Sequence, residues 1–244
     1  MKKNKSIIAI LIVILIILVQ PNVWQKVRDM FTIRDFKTQL GIIDTNSKVT
    51  SKETNKRLSE QDYNNELIIV VNQNQSDLNV KDLQQSKLKY ELKDKDLLNR
   101  SRGGRIIFNK NILSQESITE TNMKVAGWNK TIEKNQKVWT KEMVIPIKDG
   151  KEVPKNNTFV STRDMSRKLA EYQKKISDYI NQTNNSVGYE TTIIYNGVNP
   201  IPSGVHIQAK SIEDNQFQFN IYVFNQEHDY NVNHLTGNVK KIIR

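Results

Sequence analysis

The stretch from Val187 to Phe224 constrains the fold more than any other part of the chain. Val187, Tyr189, Thr191, Ile193 and Tyr195 fall on alternate positions, and a period of two puts them on one face of a pleated strand. Asn196-Gly197 then signals a turn, because both residues tolerate positive φ. Pro200 and Pro202 interrupt any ladder, and Ser203-Gly204 closes the connection. A second strand carries Val205, Ile207 and Ala209 on one face and His206, Gln208 and Lys210 on the other. Asp214-Asn215 turns the chain again. A third strand sets Phe217, Phe219, Ile221 and Val223 inward and Gln216, Gln218 and Asn220 outward. An antiparallel meander with one apolar face needs a covering layer. The segment Met165 to Ile180 supplies it. There the period becomes helical, with Leu169, Tyr172, Ile176, Tyr179 and Ile180 on one face. Asp164 or Thr162 can cap its start, and Asn184-Asn185 ends it. The fold class is therefore α+β, an antiparallel sheet with flanking helices.

The N-terminus has a different character. Lys2, Lys3 and Lys5 precede an unbroken apolar run of 13 residues, Ile7 to Val19, with Trp24 placed as an interfacial anchor. No small-residue cleavage site follows, which points to an uncleaved transmembrane signal anchor across residues 1–24. The lysines stay in the cytoplasm, and the rest of the chain lies outside a bacterial cell membrane. Of the 244 residues, 37 are Lys or Arg and 26 are Asp or Glu, for a net charge of +11. With the three anchor lysines set aside, the exported part keeps +8. A balance of this sign suits a polyanion such as nucleic acid, anionic lipid or a cell-wall polymer. The absence of cysteine excludes disulfides, thiolate metal sites and a cysteine nucleophile.

Residues 25–65 are polar, and Ser51 to Asn65 is nearly devoid of apolar side chains, so this part reads as a stalk. The folded domain is expected at 66–244. It opens with a strand-like run, Leu67 to Val71, and a polar turn from Asn72 to Asp77. Arg102-Gly103-Gly104-Arg105 reads as a turn into a strand, Ile106 to Phe108. Val138 to Lys148 is a further strand.

Taken in order, several of these segments resemble the DNA/RNA non-specific endonuclease family, in its branch of DNA-entry nucleases. The similarity runs from Glu66 to Gly237. It rests on Ile69-Val70-Val71-Asn72-Gln73-Asn74, Asp96-Leu97-Leu98-Asn99-Arg100, Gly127-Trp128, Asn157 to Arg163 and Asp178-Tyr179-Ile180. It continues through Thr183-Asn184-Asn185, Ser203-Gly204-Val205, Gln208-Ala209-Lys210-Ser211 and Thr236-Gly237. The resemblance implies a ββα-metal nuclease fold. It also implies three functional parts: a histidine base that activates water, a helix asparagine that holds Mg²⁺, and a downstream glutamate. Imidazole suits the first role because its pKa lies near neutrality.

Carried across by residue, the resemblance meets substitutions at all three parts. The histidine motif falls on Thr140-Lys141-Glu142-Met143, with Glu142 in place of the base. The metal asparagine falls on Ser166, and the glutamate on Gln173, with Glu171 nearby. Glu142 is either a substitute base or a solvated partner of Lys141. His206, His228 and His234 are the only histidines, none with helical ligand spacing, so all three are expected to be isolated surface residues. Arg100, Arg102, Arg105, Lys137, Arg163 and Arg167 are either the lining of a phosphate-binding groove or dispersed surface charge. The expectation is a membrane-anchored nuclease-like domain without catalytic groups, metal or cofactor, which holds nucleic acid or a protein partner. The alternatives are an active Mg²⁺-dependent endonuclease and a protein-contacting component of a secretion, conjugation or DNA-uptake machine.

Overall fold

A computed structural model of the chain describes residues 51–85, 90–113, 125–147, 154–214 and 216–243. The apolar run at 7–19 and most of the expected stalk lie outside the described residues. Among the described residues, no helix is long and apolar enough to cross a membrane.

The strands are β1 (Ile68–Val70), β2 (Tyr90–Leu92), β3 (Gly103–Phe108), β4 (Trp139–Met143), β5 (Thr158–Thr162), β6 (Val187–Ile194), β7 (Gly204–Ser211), β8 (Gln218–Phe224), β9 (Tyr230–Val232) and β10 (Val239–Lys241). The helices are α1 (Ser51–Ser59), α2 (Val80–Gln85), α3 (Lys110–Leu113), α4 (Lys130–Lys134) and α5 (Arg163–Thr183). The main sheet has six strands in the order β1-β8-β7-β6-β3-β2. Its centre is the meander read from alternation, with Thr191 opposite Ile207 and Ile207 opposite Ile221. Two hairpins, β4–β5 and β9–β10, stand beside it.

One face of the sheet packs under α5 and the segment that follows β4. Met165, Leu169, Ile176 and Ile180 from α5, with Val144, Ile145 and Phe159, close over Tyr189, Val205, Ile207, Phe219 and Ile221. Each large apolar side chain buried this way contributes about 1.5–3 kcal/mol. Thr162 is the N-cap of α5, its hydroxyl accepting from the Met165 N–H at 3.2 Å. Asn184 ends the helix in a left-handed conformation, φ 63°.

The opposite face departs from expectation. It was read as solvent-facing, yet Gln208 and Asn220 are buried. Gln208 accepts from the Asp77 N–H at 3.0 Å, and the Asn220 amide donates to the Gln75 carbonyl at 2.9 Å. Hydrogen bonds of this kind let polar side chains be covered. The cover includes α1. Leu58 is buried with Ile194, Tyr222 and Phe224, and Tyr63 meets Phe224 edge-on. The compact unit accordingly begins at Ser51 and takes in residues predicted as stalk. Gly103-Gly104 also differs from prediction. Both glycines lie inside β3 rather than in a turn before it. A Cβ on Gly103 would stand 2.2 Å from the Thr191 carbonyl oxygen, so only glycine permits that pairing.

The far end of α5 is tied to the β7–β8 turn by Asp214. Its carboxylate accepts from the Tyr179 hydroxyl at 2.7 Å, the Gln216 N–H at 2.9 Å, the Ser211 hydroxyl at 2.8 Å and the Asn185 amide at 2.8 Å. These donors, the Tyr179 hydroxyl foremost, lower its pKa from 3.8 to about 2. A depressed folded-state pKa gives stability that is present above the unfolded value and lost as pH falls through the folded one. Between pH 4 and pH 2 the urea midpoint of the native chain should therefore fall more steeply than that of Asp214→Asn. Parallel curves would show that the turn is not held by this charge.

Candidate nucleic-acid site

β4, β5 and α5 form a strand–strand–helix unit. Because Thr162 ends β5 and caps α5, no loop separates them, and the first turns of the helix come back beside β4. Glu142, opposite Phe159 in the hairpin, meets Ser166 there. The Ser166 hydroxyl donates to Glu142 Oε2 at 2.6 Å, and the Met143 N–H donates to Oε1 at 3.0 Å. Beneath them, burial raises the pKa of the Tyr189 hydroxyl, and the negative charge of Glu142 adds to the rise. Gln173 lies half-buried on α5, seven residues beyond Ser166 and so on the same side of the helix. Lys141 points elsewhere: its ammonium sits 5.2 Å over the Trp128 ring. Of the two readings of Glu142, pairing with Lys141 is thus replaced by pairing with Ser166.

A magnesium ion asks for near-octahedral oxygen ligands and is usually held through one or two carboxylates with several waters. Here the carboxylate accepts hydrogen bonds from the Met143 N–H and from the hydroxyl of Ser166, the residue to which the resemblance assigns the metal asparagine's position. Serine is also one bond shorter than asparagine. Among the described residues, no three His, Asp or Glu side chains gather to hold an ion. The pair as arranged does not fit a magnesium seat.

The histidines fall in three environments rather than one. His206 is buried, not on the surface. Its Nδ1 lies 2.9 Å from Asn55 Oδ1 and its Nε2 lies 2.6 Å from Asn220 Oδ1, on the sheet face away from Glu142. Burial lowers its pKa. His234 is half-buried, with Nε2 2.8 Å from the Asn225 carbonyl and its ring edge-on to Trp139. His228 is exposed, its Nε2 3.5 Å from Asp229.

The six predicted phosphate contacts also divide. Arg100 is a structural brace: it pairs with Asp96 at 2.7 Å and donates to the Gly197 and Asn199 carbonyls. Arg105 pairs across strands with Glu91 at 2.6 Å. Arg102 is exposed at the entry to β3. The remaining three come together where β4 begins and α5 starts. The Arg163 N–H donates to the Val138 carbonyl and its Nε to the Gln136 carbonyl. Lys137 lies over Tyr230 at 5.6 Å, and Arg167 is 71% exposed beside Asp164.

Two groups at this corner had no signal in the sequence. Asp164, weighed only as a cap, accepts the His228 N–H at 2.6 Å and pairs with Arg167. Glu227 accepts the Asp164 N–H at 2.9 Å, and burial raises its pKa against the pull of Arg167 and Arg163.

Solved structures share this fold. NucA from Streptococcus agalactiae with magnesium ion bound matches at a TM-score of 0.58 and 21% identity, over 79% of this chain and 97% of that one. The same protein with no metal bound matches at 0.57. Sda1 nuclease with bound zinc ion matches at 0.57 and 15% identity, over 72% of this chain and 96% of that one. The fold is a nuclease fold. No family model matches the chain, and no curated protein matches it in sequence. Within the nuclease fold, the two positions that the sequence resemblance assigns to base and metal ligand are in direct contact, as Glu142 and Ser166.

Proposed function

We propose that this protein is a nuclease-fold nucleic-acid-binding component, held outside the cell membrane by its N-terminal apolar segment, in which hydrolysis has been lost. The observation that carries this reading is the 2.6 Å bond from Ser166 to Glu142. A carboxylate and a hydroxyl that satisfy each other stand where the resemblance calls for a free imidazole and an amide. The basic corner of Lys137, Arg163 and Arg167 supports the binding half. Such cations meet phosphate oxygens without reading sequence, and their affinity falls with salt.

Three phosphate contacts imply a loss of roughly 40-fold in DNA affinity between 50 and 200 mM salt. A gel-shift series with duplex DNA checks this. Lys137→Ala combined with Arg163→Ala and Arg167→Ala should weaken retention and flatten the salt dependence. The same protein incubated with plasmid and Mg²⁺ or Mn²⁺ should leave it supercoiled. Nicking that disappears in Glu142→Ala would establish the active endonuclease instead. No retention of DNA at low salt would point to a protein-contacting component of a surface machine.

A further inference from the structure

Two loops at one end of the sheet carry apolar side chains that the fold does not bury. Leu97 and Leu98 are 105% and 51% exposed, and Val198 is 71% exposed. The loops are tightly built. Asp96 Oδ1 accepts from the Leu98 N–H at 3.0 Å and the Arg100 N–H at 2.9 Å, and Oδ2 pairs with Arg100 Nε at 2.7 Å. Arg100 Nη1 then donates to the Gly197 and Asn199 carbonyls, both at 2.8 Å. Its guanidinium lies 4.2 Å over the Tyr195 ring. One largely buried arginine thus locks the Leu97-Leu98 turn to the Val198 turn.

Apolar side chains fixed in water on a rigid tip add nothing to the core and mark an interaction site. Ordering them beforehand lowers the entropy cost of binding. Their surroundings indicate what they meet. Of the four cations from Lys93 to Arg102, Arg100 pairs with Asp96 and Lys93 with Glu190, which leaves Lys95 and Arg102 against the single anion Asp94. Exposed leucines close in sequence to Lys95 and Arg102 suit an anionic bilayer, where the apolar groups enter the interface and the two cations reach the headgroups. The run Ile7 to Val19 is expected to hold the chain at a membrane. The 26 residues from 25 to 50 can extend no further than about 90 Å. A domain on such a tether meets the surface at high effective concentration, so a small second contact is enough.

We infer that the tip formed by Leu97, Leu98 and Val198 inserts into an anionic phospholipid bilayer and orients the domain on the membrane that tethers it. This rests on the membrane half of the proposed function and is independent of the nucleic-acid half.

The chain has no cysteine, so Val198→Cys gives a single labelling site. The full chain, labelled there with an environment-sensitive fluorophore, is placed in nanodiscs of phosphatidylglycerol and phosphatidylcholine, or of phosphatidylcholine alone. Blue-shifted emission and quenching by spin-labelled lipid are expected in the anionic discs. A label at Gln182→Cys, on the exposed end of α5, should show neither. Leu97→Asp with Leu98→Asp should reduce the quenching roughly tenfold. Both side chains are exposed, so the melting temperature should not change.

Absence of quenching at the native tip overturns the inference, as does quenching that survives the double substitution. Association of native chains through the tip, abolished by the double substitution and unaccompanied by quenching, also overturns it. DNA retention measured on the same discs separates the two proposals. Its loss with quenching intact removes only the nucleic-acid reading.

Discussion

Glu142→His combined with Ser166→Asn is expected to give Mg²⁺-dependent nicking of plasmid DNA where the native chain gives none. The positions, not only the residue types, motivate this. Glu142 lies at the end of β4 and Ser166 in the first turns of α5, and their side chains meet at 2.6 Å. A base and a metal-holding amide introduced at these two points would flank one small volume. A positioned general base near neutral pKa is worth about 10²–10⁴ in rate. Each single substitution should remain inert, since base and ion act on the same water and their effects do not add. Relaxation of supercoiled plasmid, followed with and without EDTA, reads the outcome. A folded variant that leaves plasmid intact even with Gln173→Glu added would mean that these are not the positions of base and ligand. The resemblance that placed them would then be wrong in register.

The parts of the structure that were legible in sequence are those set by periodicity. Alternation located β6, β7 and β8, and the helical period located α5 with its buried face of Leu169, Ile176 and Ile180. What alternation cannot tell is whether the second face of a sheet meets water. His206, Gln208 and Asn220 are polar, and all three are buried because α1 and the residues around Ser76 bring hydrogen-bond partners to them. Nor did Ser51 to Ser59 announce its docking, since Leu58 is its one apolar anchor. Arg100 was misread for a related reason. Asp96 lies only four residues before it, but the partners that make it a brace, the Gly197 and Asn199 carbonyls, are 97 and 99 residues away. For the site, the ordered resemblance gave the positions 142 and 166. Only the folded strand–strand–helix unit reveals that they satisfy each other.

Asn225→Ala should be among the most destabilising single substitutions in the chain. Asn225 is fully buried, at 0% exposure, just after β8. Its Oδ1 accepts the Thr162 N–H at 2.7 Å, while its Nδ2 donates to the Val160 carbonyl at 3.0 Å and the Pro202 carbonyl at 2.9 Å. One side chain therefore joins the end of β5, the start of α5 and the connection into β7. Truncation leaves a buried donor and two buried acceptors without it, and each such group costs about 1–3 kcal/mol. A total of about 3–5 kcal/mol corresponds to a fall in Tm of roughly 10 °C for a unit of this size. Asn225→Asp should not rescue the fold. It keeps an acceptor for Thr162 but turns a second oxygen, charged only at the cost of desolvation, onto two carbonyls. A Tm for Asn225→Ala close to that of the native chain would show that the corner is held by other contacts. The consequence reaches the site, because Thr162 also caps α5. Where the corner loosens, the first turns of the helix lose their anchor, and Ser166 is no longer fixed against Glu142. Lys137, Arg163 and Arg167 meet at the same corner, so DNA retention by Asn225→Ala should weaken at temperatures below its global melting.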